Sequence, residues 1–285
     1  GMLFAGSPEQ RRVGVHDGPD QLYADWLRYG HLPQSAHWPR AWAQAYAHTA
    51  MEQVYGYLRA HKLRFLPVVT WAERGLHEVG NSAPRYLLLW GGGYALAMRM
   101  IAALDEHAAR VTRLFRCNVR ELLTDGAGVV GCAGVNEADG APFEVHASAT
   151  VVATGGIGAQ LDRVRALWTQ HWGRAPETLL VGAHQYSDGQ VHDAVERAGG
   201  AVANLQHMWN YGTGIHHPAP RRPGHGLGIL PPRSALWLDH TGRRFDPPLM
   251  GAFDTTYACH AIAAQPVQHS WLVANRVMVL KEIMI

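Results

Sequence analysis

Between Ala147 and Leu161 the chain reads ASATVVATGGIGAQL, and this stretch limits the choice of fold more than any other. Val151 and Val152 predict a short buried parallel strand that ends in Gly155, Gly156 and Gly158. Leu161, Val164, Leu167 and Trp168 then fall on one face of a helix starting near Ala159. A strand that stops in glycine and feeds a helix leaves bare N–H groups beside the helix's positive end, where a phosphate can sit. The same glycines would equally serve a tight turn and close strand-to-helix packing. On local physics both readings stay open.

The flanking chain predicts more of the same alternation. The first 35 residues read as loop with one short helix near Gln21 to Tyr29. A longer helix follows from Pro39, with Tyr46, Ala50, Val54, Tyr57 and Leu58 on one face. Arg64 to Thr70 reads as a strand that Pro67 pushes to a sheet edge, and Arg85 to Trp90 as a second strand. Gly91 to Gly93 then open a helix from Tyr94 with Ala97, Met100, Ile101, Leu104 and Ala108 as its apolar stripe. The runs Val111 to Arg116, Val119 to Thr124, Val129 to Val135 and Phe143 to Ala147 alternate. Asp125-Gly126 and Asp139-Gly140 break them, which predicts an antiparallel meander. Gly126, Gly128 and Gly131 spell GxGxxG, but strand residues follow where a dinucleotide site needs a helix. Beyond the glycine turn, Leu179 to Ala183 and Ala201 to Asn204 read as strands. Ser187 or Asp188 caps a helix between them, whose inner face is Val191, Ala194, Val195 and Ala198. From His207 the composition turns to Pro, Gly, His, Trp and Arg, and LWLDHTGRRF reads as strand, turn, strand. A boundary is expected near residue 205, giving domains 1–205 and 206–285.

Several function classes fall away. A formal net charge of +2 and scattered cations do not suit nucleic acid. The longest apolar stretch, Tyr86 to Met98, is too short to span a bilayer. Cys117, Cys132 and Cys259 show no pairing pattern, and no basic-then-apolar leader opens the chain, so the cytoplasm is the expected compartment. His207, His216, His217 and His225 crowd together without the carboxylates or cysteines that would complete a metal site, and no metal is expected. No GxSxG marks a nucleophile. A small-molecule substrate is the expected partner, and the oligomeric state is left open.

Taken in order, LFRCNVRELLTDGAGVVGCAGV, FEVHASATVVATGGIG, YSDGQVHDAVERAGGAV and LWLDHTGRRF resemble the FAD-dependent oxidoreductases of the fumarate reductase and 3-ketosteroid dehydrogenase group. The segments SPEQRR and HWPR-x-WA are similar to those of its FAD-binding dehydrogenase members. The resemblance covers essentially the whole chain. It implies an α/β fold: an incomplete Rossmann-like FAD-binding domain with an inserted antiparallel β-meander, followed by part of a smaller α+β substrate domain. FAD is the implied cofactor, and hydride transfer between an apolar substrate and the flavin the implied reaction. The alternative is a remnant of that fold that binds no flavin.

Position by position, the resemblance places Val119 where a backbone meets the adenine, and Thr154, Gly155 and Gly156 at the turn beside the cofactor. It puts Asp188 near FAD and Gly1 at the end of a glycine loop. Met208, Trp209, Asn210 and Tyr211 are expected on the wall between the domains, with Trp209 and Tyr211 offering aromatic area to the substrate. The family's opening GxGxxG strand turn and closing flavin segment have no counterpart here, so the chain resembles an internal piece. Pro247, Pro248 and Gly251 stand where fumarate-reducing members carry an asparagine, a glutamate and an arginine that relay a proton, and Ala252 where ketosteroid dehydrogenases carry a tyrosine. Tyr211, Arg244 and Tyr257 are the remaining candidates for acid–base work.

Overall fold

A computed structural model describes residues 1–169, 172–251 and 253–282, so Ala252 lies outside the described residues. Strands β1 (Met2–Leu3), β2 (Phe65–Thr70) and β3 (Tyr86–Leu89) form an antiparallel sheet in the order β1-β3-β2. Pro67 sits on edge strand β2, where the register slips between Phe65 and Val69. A residue without an N–H is tolerated at such an irregular edge.

Helices α1 (Pro8–Arg12), α2 (Pro19–Tyr29), α3 (His37–Thr49) and α4 (Tyr57–Ala60) accompany this sheet, with a π-helical segment, Ala50–Gly56, between the last two. The core joins Phe4, Ala50, Leu58, Leu63, Phe65, Leu87 and Leu89. Tyr57, expected on the inner face, is 47% exposed. The wider i→i+5 turn of the π segment rotates the residues after it out of the 3.6-residue register. Helix α1 falls in a stretch expected to be loop. Ser7 and Gln10 close a reciprocal capping box there, a signal present in S-P-E-Q.

Beneath α1 and α2 lies a buried ionic network. The Arg85 side chain is 1% exposed and grips Asp17 with two bonds of 2.8 Å each, Nε to Oδ2 and Nη2 to Oδ1. Its Nη1 reaches Asp25 Oδ2 at 2.5 Å and Asn81 Oδ1 at 2.8 Å. Gln10 donates to Asp17, and the Ser82 N–H and hydroxyl donate to Asp25. Every member is satisfied, as burial of charge requires.

Helix α5 (Gly92–Asp105) meets the core through Ala95, Leu96 and Met100. The expected stripe is shifted round the helix: Ile101 and Leu104 are 43% and 44% exposed. Periodicity gives an amphipathic helix, but the packing partner decides which apolar row turns inward.

The meander is present as β4 (Cys117–Thr124), β5 (Val129–Asn136) and β6 (Pro142–His146), antiparallel in that order. Asp125 Oδ1 accepts from the N–H groups of Ala127 and Gly128 and holds the first turn, so the literal GxGxxG makes a hairpin and opens no helix. Residues 111–116 do not form the expected strand. Arg116 takes φ +59°, a left-handed conformation that breaks extension just before β4.

Val151 and Val152 differ from expectation as well. Residues 151–156 have no ladder partner, and Val151 is 89% exposed. A parallel strand needs neighbours on the sheet to bond it, and the described strands pair antiparallel elsewhere. The coarse architecture is therefore mixed helices and antiparallel sheets. Residues 179–183 and 201–204 form no strand either, apart from one parallel bridge between Val181 and His225.

Helices α6 (Leu161–Ala166) and α7 (Gln190–Arg197) appear near their expected places. Further on, β7 (Gly214–His216) pairs with β8 (Gly226–Gly228), and β9 (Leu236–Leu238) with β10 (Trp271–Val273). The predicted partner of β9, the stretch through Arg244, touches it only at a bridge between Leu238 and Arg244. Trp237 and Leu249 pack with Ala258 and Ile262 of α8 (Thr255–Ala263), and α9 (Arg276–Glu282) ends the described chain. No helix among the described residues is long and apolar enough to cross a membrane.

Candidate functional site

The glycine turn is built from three segments distant in sequence. The Gly155 carbonyl accepts from His192 Nε2 at 3.0 Å, and Ala159 N donates to the Ser187 carbonyl at 2.9 Å. Asp188 Oδ1 accepts from Gln190 N at 2.9 Å, a local cap on the first turn of α7. Between them Gly189 takes φ +77°, and a Cβ there would lie 2.8 Å from Ile157 and 2.9 Å from Arg163. Arg163 in turn pairs with Asp193 at 2.8 Å and ties α6 to α7.

Gln190 then reaches back to the meander. Its amide donates to Asn118 Oδ1 and to the Val119 carbonyl, each at 3.1 Å. Val119, Gly155 and Asp188 therefore share one neighbourhood, with Thr154 and Gly156 flanking it, and Gln190, absent from the sequence reading, is the side chain that joins them. Gly1 lies apart, against the Tyr86 ring of β3. Gln190→Leu is expected to lower stability by about 1–2 kcal/mol through the two lost bonds. A reduced urea midpoint with an unchanged slope would show it, and an unchanged midpoint would refute it.

Beside the turn is a cavity of about 380 Å³, with Gly156, Leu161 and Val181 on one side and Met208, Trp209 and Asn210 on the other. Trp209 is 76% exposed and stacks on Tyr211 at 5.7 Å and 25°. Burial, then Tyr86 and Glu73, push the Tyr211 hydroxyl above its usual range. Buried polar atoms without a partner among the described residues include Asn210 Nδ2 on the cavity wall, with His192 Nδ1, Trp168 Nε1 and Arg222 Nε. The other acid–base candidates sit elsewhere. Arg244 is exposed beside β9, and Tyr257 packs on the Trp237 cluster with its ring 4.9 Å from His77. No three of the described His, Cys, Asp and Glu residues come together as a metal site.

A junction that sequence reading missed lies between the loop after β2 and the start of α8. Asp254, 6% exposed, accepts from the N–H groups of Leu76 at 2.7 Å, His77 at 3.1 Å and Glu78 at 3.4 Å. Glu73 Oε2 accepts from Thr255 N at 2.8 Å. Asp before T-T-Y reads as the cap of its own helix. Instead it caps the distant loop, and Glu73 of that loop caps the helix.

Residues 1–283 match the family model described as FAD binding domain. A KsdD-like steroid dehydrogenase of Mycolicibacterium smegmatis is 38% identical, over 99% of this chain and 54% of its own length. A KsdD-like steroid dehydrogenase of Mycobacterium tuberculosis is 36% identical, over 99% of this chain and 53% of its own. The chain thus spans about half the length of the curated relatives it matches. Among solved structures, Mycobacterium smegmatis Sdh1 in complex with UQ1 shares 19% identity at a TM-score of 0.45, covering 69% of this chain and 31% of that one. That likeness is too slight to place these elements on its fold.

Proposed function

Because the chain belongs to the FAD binding domain family, we propose that it forms the flavin-contacting part of an oxidoreductase acting on a small, largely apolar substrate. The observation that carries this reading is the cavity, which brings Gly156 of the glycine turn within one space with Met208, Trp209 and Asn210. The donor and acceptor set fits one edge of the cofactor: exposed backbone at Thr154 to Gly156, an unpartnered His192 Nδ1, and Val119 fixed by Gln190. These residues would hold FAD, and when bound the flavin supplies the hydride acceptor or donor.

The chain's own side chains would do the positioning. Trp209 and Tyr211 give flat apolar area, and Asn210 Nδ2 offers a hydrogen bond to an oxygen of the substrate. The Tyr211 hydroxyl, kept protonated as burial pushes it up, would be a proton donor next to Asn210 in sequence. In this reading residues 1–205 face the cofactor and 206–285 begin the substrate side.

FAD is expected to bind this chain weakly, since among the described residues the one GxGxxG, Gly126 to Gly131, lies in a hairpin and opens no helix that could grip the pyrophosphate. A flavin spectrum after purification and desalting is the test. Stoichiometric FAD would overturn the weak-binding expectation. No binding even when the remaining half of a relative is supplied would overturn the flavoprotein reading.

A second reading, a fold remnant without catalysis, is favoured by Pro247, Pro248 and Gly251, whose side chains carry no transferable proton. The relatives' names make a steroid the first substrate to try. With the unmatched half of a relative grafted on, turnover of fumarate and of a 3-ketosteroid is expected to stay at background. Robust turnover of either would refute that.

A further inference from the structure

The loop joining β7 to β8, HPAPRRPGH from His217 to His225, folds back so that its two end imidazoles stack in parallel, 4.2 Å apart at 6°. Each ring fastens the loop from within. His217 Nδ1 accepts from Ala219 N at 3.0 Å, and His225 Nδ1 accepts from Arg221 N at 3.1 Å. The backbone closes the same contact, with His217 N donating to the His225 carbonyl at 3.0 Å. A ring nitrogen that accepts a backbone N–H carries no proton, so this geometry belongs to two neutral imidazoles.

The loop also braces the cavity. Val181 N donates to the Gly224 carbonyl at 2.7 Å, Gly226 N to the Val181 carbonyl at 3.0 Å, and Arg222 to the Ala183 carbonyl. Leu179 to Ala183 form one cavity wall. Among the described residues they have no other strand partner, and these bonds tie the wall to the histidine loop.

We propose that His217 and His225 form a pH-operated latch on this wall, closed while both imidazoles are neutral and released when either takes a proton. Protonation at Nδ1 turns an acceptor into a donor that faces another N–H, and it places a positive charge against the stacked ring and two guanidinium-bearing residues. The charged and titratable groups around the pair are Arg221 and Arg222 on the loop itself and His216 on β7. The segment 179–183, LLVGA, brings none, and β8 is Gly-Leu-Gly. No carboxylate among them offsets the charge.

The closed geometry sets the direction of the pH dependence. Burial first, then His217, Arg222 and Arg221, hold the His225 imidazole below its usual value. The closed loop binds a proton at His225 less readily than an open one, where an ordinary imidazole titrates near about 6.5. Closure is complete above that value and is lost as the pH falls towards the closed-form value. Between the two, the open-to-closed ratio rises up to about tenfold per pH unit through His225.

Hydrogen–deuterium exchange on the whole chain tests this. After correction for intrinsic exchange, the amides of Val181 and Gly226 are expected to lose protection between neutral and mildly acidic pH. In the double variant H217N/H225N an amide oxygen takes the place of each Nδ1 acceptor but cannot titrate, so protection is expected to persist. An equal loss in the variant, or none in the wild type, would overturn the latch. If the variant does not fold, NMR titration of the wild-type imidazoles decides. A His225 titration at or above its usual value refutes the proposal, and one below it supports it.

Discussion

Replacing Arg85 by alanine is expected to cost about 3–5 kcal/mol, because it strands two buried carboxylates whose charge no other group neutralises fully. Asp17 and Asp25 are both out of solvent, and among the described residues only Arg28, itself half exposed, would still form an ion pair with Asp25. The fall in urea midpoint measures the loss, and a change below about 1 kcal/mol would mean that water or rearrangement rescues the carboxylates. Arg85→Met, which removes the charge but keeps much of the volume, is expected to be nearly as costly, since the stranded acids remain. The network also predicts an acid limb. Burial alone would raise the Asp25 carboxyl, but the Ser82 N–H and hydroxyl and then Arg85 outweigh it, and the net shift is downward. A carboxylate depressed in the folded state stabilises above its ordinary value, and that contribution is lost as pH falls through the depressed value. Acid sensitivity below about pH 4 should therefore shrink when Asp25 is replaced.

Gly134→Ala is the second large effect expected, at about 2–4 kcal/mol through overpacking against backbone. A Cβ at Gly134 would lie 2.0 Å from the Asn118 carbonyl oxygen and 2.9 Å from Val119 Cα, and neither can turn aside as a side chain could. Strand β5 would have to part from β4 where Asn118 and Val119 receive Gln190. The substitution should thus lower the thermal midpoint and, in the same variant, expose the Gln190 contact to exchange. A thermal midpoint within a degree or so of wild type would contradict the crowding. Ala133→Gly, at the neighbouring position on the strand's opposite face, is the control and should cost only about 1 kcal/mol.

How far the sequence carried depends on whether the deciding contact is local. The meander was legible because Asp125-Gly126 and Asp139-Gly140 determine their own turns with their own side chains. Helix α7 was legible from Asp188 and the spacing of Val191 and Ala194, again within a few residues. Where a partner lies far away, local pattern failed. Val151 and Val152 look like strand, but a strand exists only if neighbours bond it, and nothing in those residues supplies one. The stripe on α5 had the right period but was read partly round the helix: Met100 meets the core while Ile101 and Leu104 do not, because Phe4, Leu58 and the other residues it meets come from other elements.

The same limit applies at the candidate site. The resemblance suggested Val119, Gly155 and Asp188, and the structure gathers them, yet Gln190 and His192, which tie them together, carry no pattern of their own. Arg85, Asp17 and Asp25 look like surface charges along the chain, since burial of an ion is decided by the elements that pack over it. Tyr57 shows the subtlest failure: one π-helical segment upstream rotates it out of a correctly read helix.

The exchange of caps between Glu73 and Asp254 bears on how the chain is divided. Each acid satisfies N–H groups of a segment about 180 residues away, so neither partner has its own termini satisfied when alone. A cut near residue 205 would leave the loop after β2 with three unmatched donors and α8 without its acceptor. Wherever a domain boundary falls, this junction links the two sides: halves produced separately would each lack the group that the other holds.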